Sequence, residues 1–182
     1  MRKLFWFIRL ILFSPFFGKV KFPSYLGKPV SIEGIKNIFI GKRVRIYPNA
    51  RLEVHGKDSK LEICDNVGIA QNVHITTGSE LRIGKGTTIL ANVFITDIDH
   101  DYSQIDVPIL EQKNIIKKTE IGENCFIGIG AAIQAGTILG KQCIVGAHSV
   151  VRGEFPDYCV IVGTPARIVK KFNFITNTWE KI

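Results

Sequence analysis

The sequence predicts an all-β fold, a parallel β-helix, and three observations carry that reading. An aliphatic residue recurs at every sixth position from Ile115 through Ile121, Ile127, Ile133, Leu139 and Val145 to Val151. An amphipathic helix would place apolar residues three and four apart and a half-buried strand two apart, so a period of six points to short stacked strands. The position four after each aliphatic is compact: Thr119, Cys125, Ala131, Thr137, Cys143 and Ser149. Glycine often follows the aliphatic directly, as at Gly122, Gly128, Gly140 and Gly146. The aliphatic is expected to point inward, the compact residue to fit where the wall bends, and glycine to supply dihedrals that a side chain forbids.

Taken in chain order, residues 1–31 form an apolar and basic segment. Leu4 to Phe17 is strongly apolar but is interrupted by Arg9 and Pro15. It is too short for a membrane-spanning helix, which needs about 20 apolar residues, and no small-x-small cleavage site follows it. It reads as a helix-like element that either caps the open end of the solenoid or lies in a membrane interface through residues 1–20. Residues 32–172 carry the hexads. One block runs from Ile40 through Ile46 to Leu52. A second covers Ile63, Ile69, Ile75 and Leu81. After a two-residue slip, Ile83, Ile89 and Ile95 resume the pattern. The total is roughly sixteen hexads, or about five coils if three hexads close each one. A loop is inserted near 97–114, and residues 173–182 form a short C-terminal tail.

The chain of 182 residues fits one domain with appended ends. Its four cysteines form no CxxC pair, and Cys125 and Cys143 fall at the compact position, so packing thiols are expected rather than disulfides or a metal site. The formal net charge is +8. Much of it comes from Arg2, Lys3, Arg9, Lys19, Lys21 and Lys28, a stretch with no acidic residue. Such asymmetry argues against a nucleic-acid coat and directs attention to what the amino terminus touches.

Insertions in a stacked solenoid often build its functional face. This one reads Thr96-Asp97-Ile98-Asp99-His100-Asp101-Tyr102-Ser103. A histidine among carboxylates is a candidate general base, because a carboxylate fixes the imidazole tautomer and raises its basicity. His55 lies in a polar turn and is expected in solvent. His74 is expected to point outward from a coil wall, and His148 to be a turn residue. There is no phosphate-loop motif and no catalytic triad spacing.

Three features resemble the hexapeptide-repeat acyltransferases, particularly the sugar O-acetyltransferases related to maltose, galactoside and nodulation-factor acetyltransferases. They are the hexad array, Asn92-Val93 followed by Ile95-Thr96 and His100, and the closing run Gly163-Thr164-Pro165-Ala166-Arg167-Ile168-Val169-Lys170-Lys171. The match covers roughly residues 38–172. The resemblance implies a left-handed parallel β-helix shaped as a triangular prism, a handedness that contravenes the usual crossover rule. It implies a homotrimer with active sites between subunits, and acetyl-CoA as cosubstrate with no metal. His100 would be the general base for direct acetyl transfer to a sugar hydroxyl, with Asp97, Asp99 or a backbone carbonyl holding its other ring nitrogen. Ile129 and Ala147 would line the pantetheine arm, Arg152, Arg167 and Lys170 would lie near the nucleotide phosphates, and Asn72, Asn92 and Tyr102 would face the sugar or glycan acceptor. Asn72 stands two positions away from the asparagine that some relatives offer.

The chain departs from the family where Arg152-Gly153-Glu154 replaces the usual Thr-Lys-Asp, and where Phe126 and His148 replace tryptophan and glycine. The acceptor expected is a surface polysaccharide unit, O-antigen or capsule. The expected location is the cytoplasm, at the inner face of the cytoplasmic membrane if the amino terminus is interfacial. The alternative is N-acetylation of a nucleotide-linked amino sugar. A prism-type carbonic anhydrase would need three histidines around zinc from facing subunits, and here His74, His100 and His148 are widely separated. Loss of acetyl transfer in His100→Ala with the fold intact would argue against a non-catalytic scaffold.

Overall fold

A computed structural model describes residues 2–182. Its core is a parallel solenoid of seven turns, not five, whose strands stack into three sheets. The first sheet holds Lys19–Val20, Ile38–Ile40, Lys60–Ile63, Glu80–Ile83, Glu120–Ile121, Ile138–Leu139 and Glu154–Phe155. The second holds Tyr25–Leu26, Arg45–Ile46, Gly68–Ile69, Thr88–Ile89, Phe126–Ile127, Ile144–Val145 and Cys159–Gly163. The third holds Ser31–Glu33, Arg51–Val54, His74–Thr77, Phe94–Thr96, Ala132–Ile133 and Val150–Val151.

The two extra turns lie at the ends. Val20 and Leu26, inside the segment set apart as 1–31, and Ile32 just beyond it continue the six-residue spacing, and coil 1 spans Lys19 to Glu33. Phe155 and Ile161 form coil 7 after a corner shortened to Arg152-Gly153. A second correction concerns Ile115. It sits on the inserted excursion opposite Asp99, partly exposed, so the true run begins at Ile121.

Each hexad buries two side chains. The aliphatics form in-register ladders, such as Ile46, Ile69, Ile89, Ile127, Val145 and Ile161 through the second sheet. Fully burying each such side chain stabilises the fold by about 1.5–3 kcal/mol. Compact corner residues Val44, Ala50, Val67, Val73, Cys125, Ala131 and Cys143 are buried beside them. Hydroxyls at that position are satisfied between coils: Thr119 Oγ1 donates to the Thr96 carbonyl (3.0 Å) and Thr137 Oγ1 to the Val151 carbonyl (2.9 Å). All four cysteines are free thiols, and burial pushes Cys159 up to about 12.

The ends are covered differently. At the first coil, helix α1 (Arg2–Phe13) ends at a 3₁₀ turn containing Pro15. Leu10 is fully buried in the core, Trp6 packs against Tyr25 and Tyr47 (centroids 5.7 and 5.4 Å), and Arg9 Nη1 reaches the Leu26 carbonyl at 3.4 Å. These contacts cover an otherwise open sheet edge. At the last coil, residues expected as a short tail instead form the end of an antiparallel hairpin. Ala166–Asn173 pairs with Cys159–Gly163, and Thr178–Lys181 pairs with Ala166–Asn173. Phe172 and Trp179 pack across it at 5.5 Å. No helix among the described residues is long and apolar enough to cross a membrane.

Candidate active site

The prism has three corners, and the candidate residues fall on two of them. The corner between second and third sheets is made by tight turns whose key residue has positive φ: Asn49, Asn72, Asn92, Gly130 and His148. Asparagine tolerates the left-handed region better than most residues. Asn72 Nδ2 donates to Asn92 Oδ1 at 3.0 Å, so the two asparagines expected to face the acceptor are bonded to each other one coil apart. Further along this edge, Ile129 is half exposed and its carbonyl accepts the His148 N–H at 2.8 Å. Ala147 lies on the next coil, packed closely enough that a side chain on Gly128 would strike its backbone. At the end of this edge Thr164 Oγ1 approaches the His148 carbonyl (3.4 Å), and Arg167 pairs with Val162. Lys170 sits farther back on the same hairpin, opposite Val160.

The corner between third and first sheets varies from coil to coil, with a 3₁₀ turn at Ile35–Asn37, a loop over 55–59 and the short Arg152-Gly153, and it departs furthest after coil 4. There the chain leaves the wall at Asp97, runs out along Ile98–His100, and returns along Asn114–Ile116 as an antiparallel pair. Asp97 is completely buried and holds this excursion at its root. Its Oδ2 accepts from Thr77 Oγ1 (2.6 Å), Ser79 Oγ (2.6 Å) and Ser79 N–H (3.0 Å), and its Oδ1 accepts from Gly78 N–H (2.7 Å). Both oxygens are therefore engaged by the preceding coil, and the expectation that Asp97 orients the His100 ring gives way to a loop-anchoring role.

Asp99 lies nearer but also does not grip the ring. Its Oδ1 accepts the backbone N–H of His100 at 3.1 Å, and its Oδ2 meets Arg152 Nη2 at 3.0 Å and Lys117 Nζ at 3.6 Å. Partial desolvation opposes ionisation of Asp99, but the His100 N–H, Arg152 and Lys117 outweigh it and hold the carboxyl below its usual range. The family pattern puts Arg152 beside Arg167 and Lys170. In the structure Arg152 stands on the corner between the third and first sheets, bound to Asp99. Tyr102 is 74% exposed near the tip.

His100 is exposed and opens onto a pocket of about 290 Å³. Thr76, Phe94 and Thr96 come from the outer face of the third sheet, Ile98 and Asn114 from the excursion, and His55 from the turn after coil 2. His55, a turn residue expected in open solvent, is brought to His100 only by the stacking of coils. Beside the pocket, His74 packs on Phe94 (5.1 Å) and its Nε2 meets Glu53 Oε2 at 3.0 Å. Arg51 Nε also bonds the nearly buried Glu53. Desolvation of Glu53 is outweighed by Arg51 and His74, which keep its carboxyl below the usual range. This cluster escapes a reading of the sequence because its members are separated by one coil. Aligning the coils, Arg51 over His74 over Phe94, is the signal that finds it.

Chemically, the excursion offers an accessible imidazole above an open, mixed apolar and hydroxyl-bearing floor. The other corner offers an extended strip, apolar at Ile129 and Ala147 and cationic at Arg167, which suits a long thin molecule with an anionic end. Among the described residues no cluster of histidine, cysteine and carboxylates could hold a metal.

Comparison with known proteins gives three results. The family model for bacterial transferase hexapeptide (six repeats) matches residues 118–153. WbbJ of Escherichia coli (strain K12), named for lipopolysaccharide biosynthesis O-acetyl transfer, is 34% identical over 173 residues, covering 89% of this chain and 83% of that protein. Galactoside O-acetyltransferase of Lactococcus lactis is 30% identical over 148 residues, covering 78% and 68%. Among solved structures, a point mutant of AntD, an N-acyltransferase from Bacillus cereus in complex with dTDP and coenzyme A, superposes with a TM-score of 0.79. It is 22% identical and covers 91% of this chain and 89% of that one, a likeness of fold.

Proposed function

Because this chain belongs to the hexapeptide-repeat acetyltransferases, we propose that it moves an acetyl group from acetyl-CoA to a sugar hydroxyl in the making of a surface polysaccharide, O-antigen or capsule. The observation that carries the proposal is His100. It is the histidine the family motif selects, and the Asp97-anchored excursion presents it at the mouth of a pocket floored by Thr76, Phe94 and Thr96.

In this reading the His100 imidazole accepts the proton of the acceptor hydroxyl while that oxygen attacks the thioester carbonyl, and the coenzyme A thiolate departs. Asp99 is a positioning residue. It binds the His100 backbone N–H and is itself fixed by Arg152 and Lys117. Transfer is direct: Cys125, Cys143 and Cys159 are buried thiols, and none of the four cysteines lines the pocket onto which His100 opens. Ile129 and Ala147 line the pantetheine arm, with Arg167 and Lys170 toward the phosphates. Asn72 and Asn92, on that same corner, and Tyr102, on the excursion, face the acceptor.

His100 and the Ile129–Ala147 strip occupy different corners of one prism. A full site then forms where the excursion of one copy meets the strip of another, which supports a homotrimer with left-handed coils as in the family. Use of acetyl-CoA puts the reaction on the cytoplasmic side. N-acetylation of a nucleotide-linked amino sugar is the second reading, favoured by the likeness to AntD.

The deciding experiment measures free thiol released from acetyl-CoA by the purified protein with lipid-linked glycans and with nucleotide amino sugars. An ester labile to mild base is expected as product, with His100→Ala lowering kcat by about 10²–10⁴-fold while the fold persists. An amide product would favour the second reading. Full activity in His100→Ala would overturn both.

A further inference from the structure

Helix α1 has two apolar faces, and the prism uses one of them. Trp6, Leu10 and, beyond the helix, Phe17 turn inward; Trp6 is clamped between Tyr25 and Tyr47 and is not free to meet anything else. The opposite side carries Leu4, Phe5, Ile8, Ile11 and Leu12, spaced as one helical stripe. Leu4, Phe5 and Leu12 are 62%, 66% and 66% exposed, and Phe16 and Phe22 extend the patch beyond the helix. A helix whose only task was to close the solenoid would carry polar residues on this side. Contiguous exposed apolar surface of this kind marks an interaction site.

Charge identifies the partner. Arg2, Lys3, Lys19, Lys21 and Lys28 are exposed around this end of the prism, and none forms an ion pair among the described residues. No acidic residue precedes Glu33. A second copy docked on the same face would bring two clusters of Arg2, Lys3 and Lys28 together, whereas Lys19 and Lys21 line a groove with Glu62 and Asp65 of their own chain. A surface that is apolar within and anionic at its edge satisfies both features, and an anionic lipid bilayer is that surface.

We propose that α1 is both cap and membrane anchor: its inner face closes coil 1, and Leu4, Phe5, Ile8, Ile11 and Leu12 enter the headgroup boundary of an anionic bilayer. The inference rests on the helix and its surroundings, independently of acetyl transfer.

The test is co-sedimentation of the full chain with vesicles of phosphatidylcholine alone and of phosphatidylcholine mixed with phosphatidylglycerol. Binding to the mixed vesicles is expected, about tenfold weaker to the neutral ones and weakened by salt. The double variant Phe5→Ser/Leu12→Ser should lose binding while keeping its thermal melt, because both side chains are exposed. Leu110→Ser, an exposed apolar residue on the excursion, should bind like the parent. Equal affinity for both vesicle types, absence of binding, or binding retained by the double variant would overturn the proposal. So would a double variant that dissociates into smaller oligomers with no vesicle binding by the parent, since that would assign the face to a second copy.

Discussion

Two corners of the same prism solve the problem of turning a strand in opposite ways. Between the second and third sheets every turn is short and repeats, and its residues in the left-handed region each donate a backbone N–H to the coil before, as Asn72 does to Pro48 and His148 to Ile129. Between the third and first sheets one turn expands into the excursion from Asp97, and a single buried carboxylate ties it to Thr77–Ser79. The regular corner yields a straight edge on which a long molecule can lie. The irregular one lifts an imidazole clear of the wall. A solenoid thus obtains rigidity from repetition and reactivity from one anchored departure.

The contrast can be broken most forcefully at Asp97. Asp97→Ala leaves the Gly78 and Ser79 N–H groups and two hydroxyls without their acceptor, and a buried network broken at one partner costs about 3–5 kcal/mol. A large loss in denaturant midpoint and in activity is expected, and an unchanged melt would show that the excursion is held by something else. On the regular corner, the His148 ring occupies the place where a Cβ on Gly130 would stand, and Gly130 has φ of +68°. Gly130→Ala should cost about 1–3 kcal/mol. Adding His148→Ala should recover the part due to collision and leave the part due to backbone strain, a separation that a double-mutant cycle reads directly.

The two arginines sharpen the division kinetically. Arg167→Ala is expected to raise KM for acetyl-CoA with little change in kcat. Arg152→Ala, acting through Asp99, is expected to lower kcat about tenfold with that KM unchanged, since charge-assisted hydrogen bonds contribute roughly 1.5–3 kcal/mol. Equal effects on KM would return Arg152 to the cofactor end.

The smallest effect concerns pH. The Glu53 carboxyl is held below its ordinary value of about 4.3 by Arg51 and His74 against desolvation. Its contribution is therefore complete above that value and is lost as pH falls through the lower folded one. Thermal melts of the parent should decline across this acidic window more steeply than those of Glu53→Gln.

Most of the repeat is legible in the sequence because each hexad must bury its own aliphatic and compact pair. Coil 1 is hidden because Val20, Leu26 and Ile32 are set among lysines and aromatics that belong to the helix contact. Ile115 mimics a repeat position because chance places an isoleucine in phase on the excursion. His100 is legible by its motif. Which aspartate serves it is not, because Asp97 and Asp99 differ only in where they stand on a two-residue extended step. That difference buries one and exposes the other to Arg152, a residue on a coil two turns later. Similarly, that His55 shares a pocket with His100 and that His74 meets Glu53 emerges only once coil length is known.

The solenoid also acts as a ruler. Stacked strands rise by about 4.8 Å per coil, and three to four coils separate the α1 end from the excursion that leaves after coil 4, roughly 15–20 Å. Because helix and hairpin close both ends, that spacing is built into the chain. Measured along the prism axis, His100 works at a fixed distance from the α1 end.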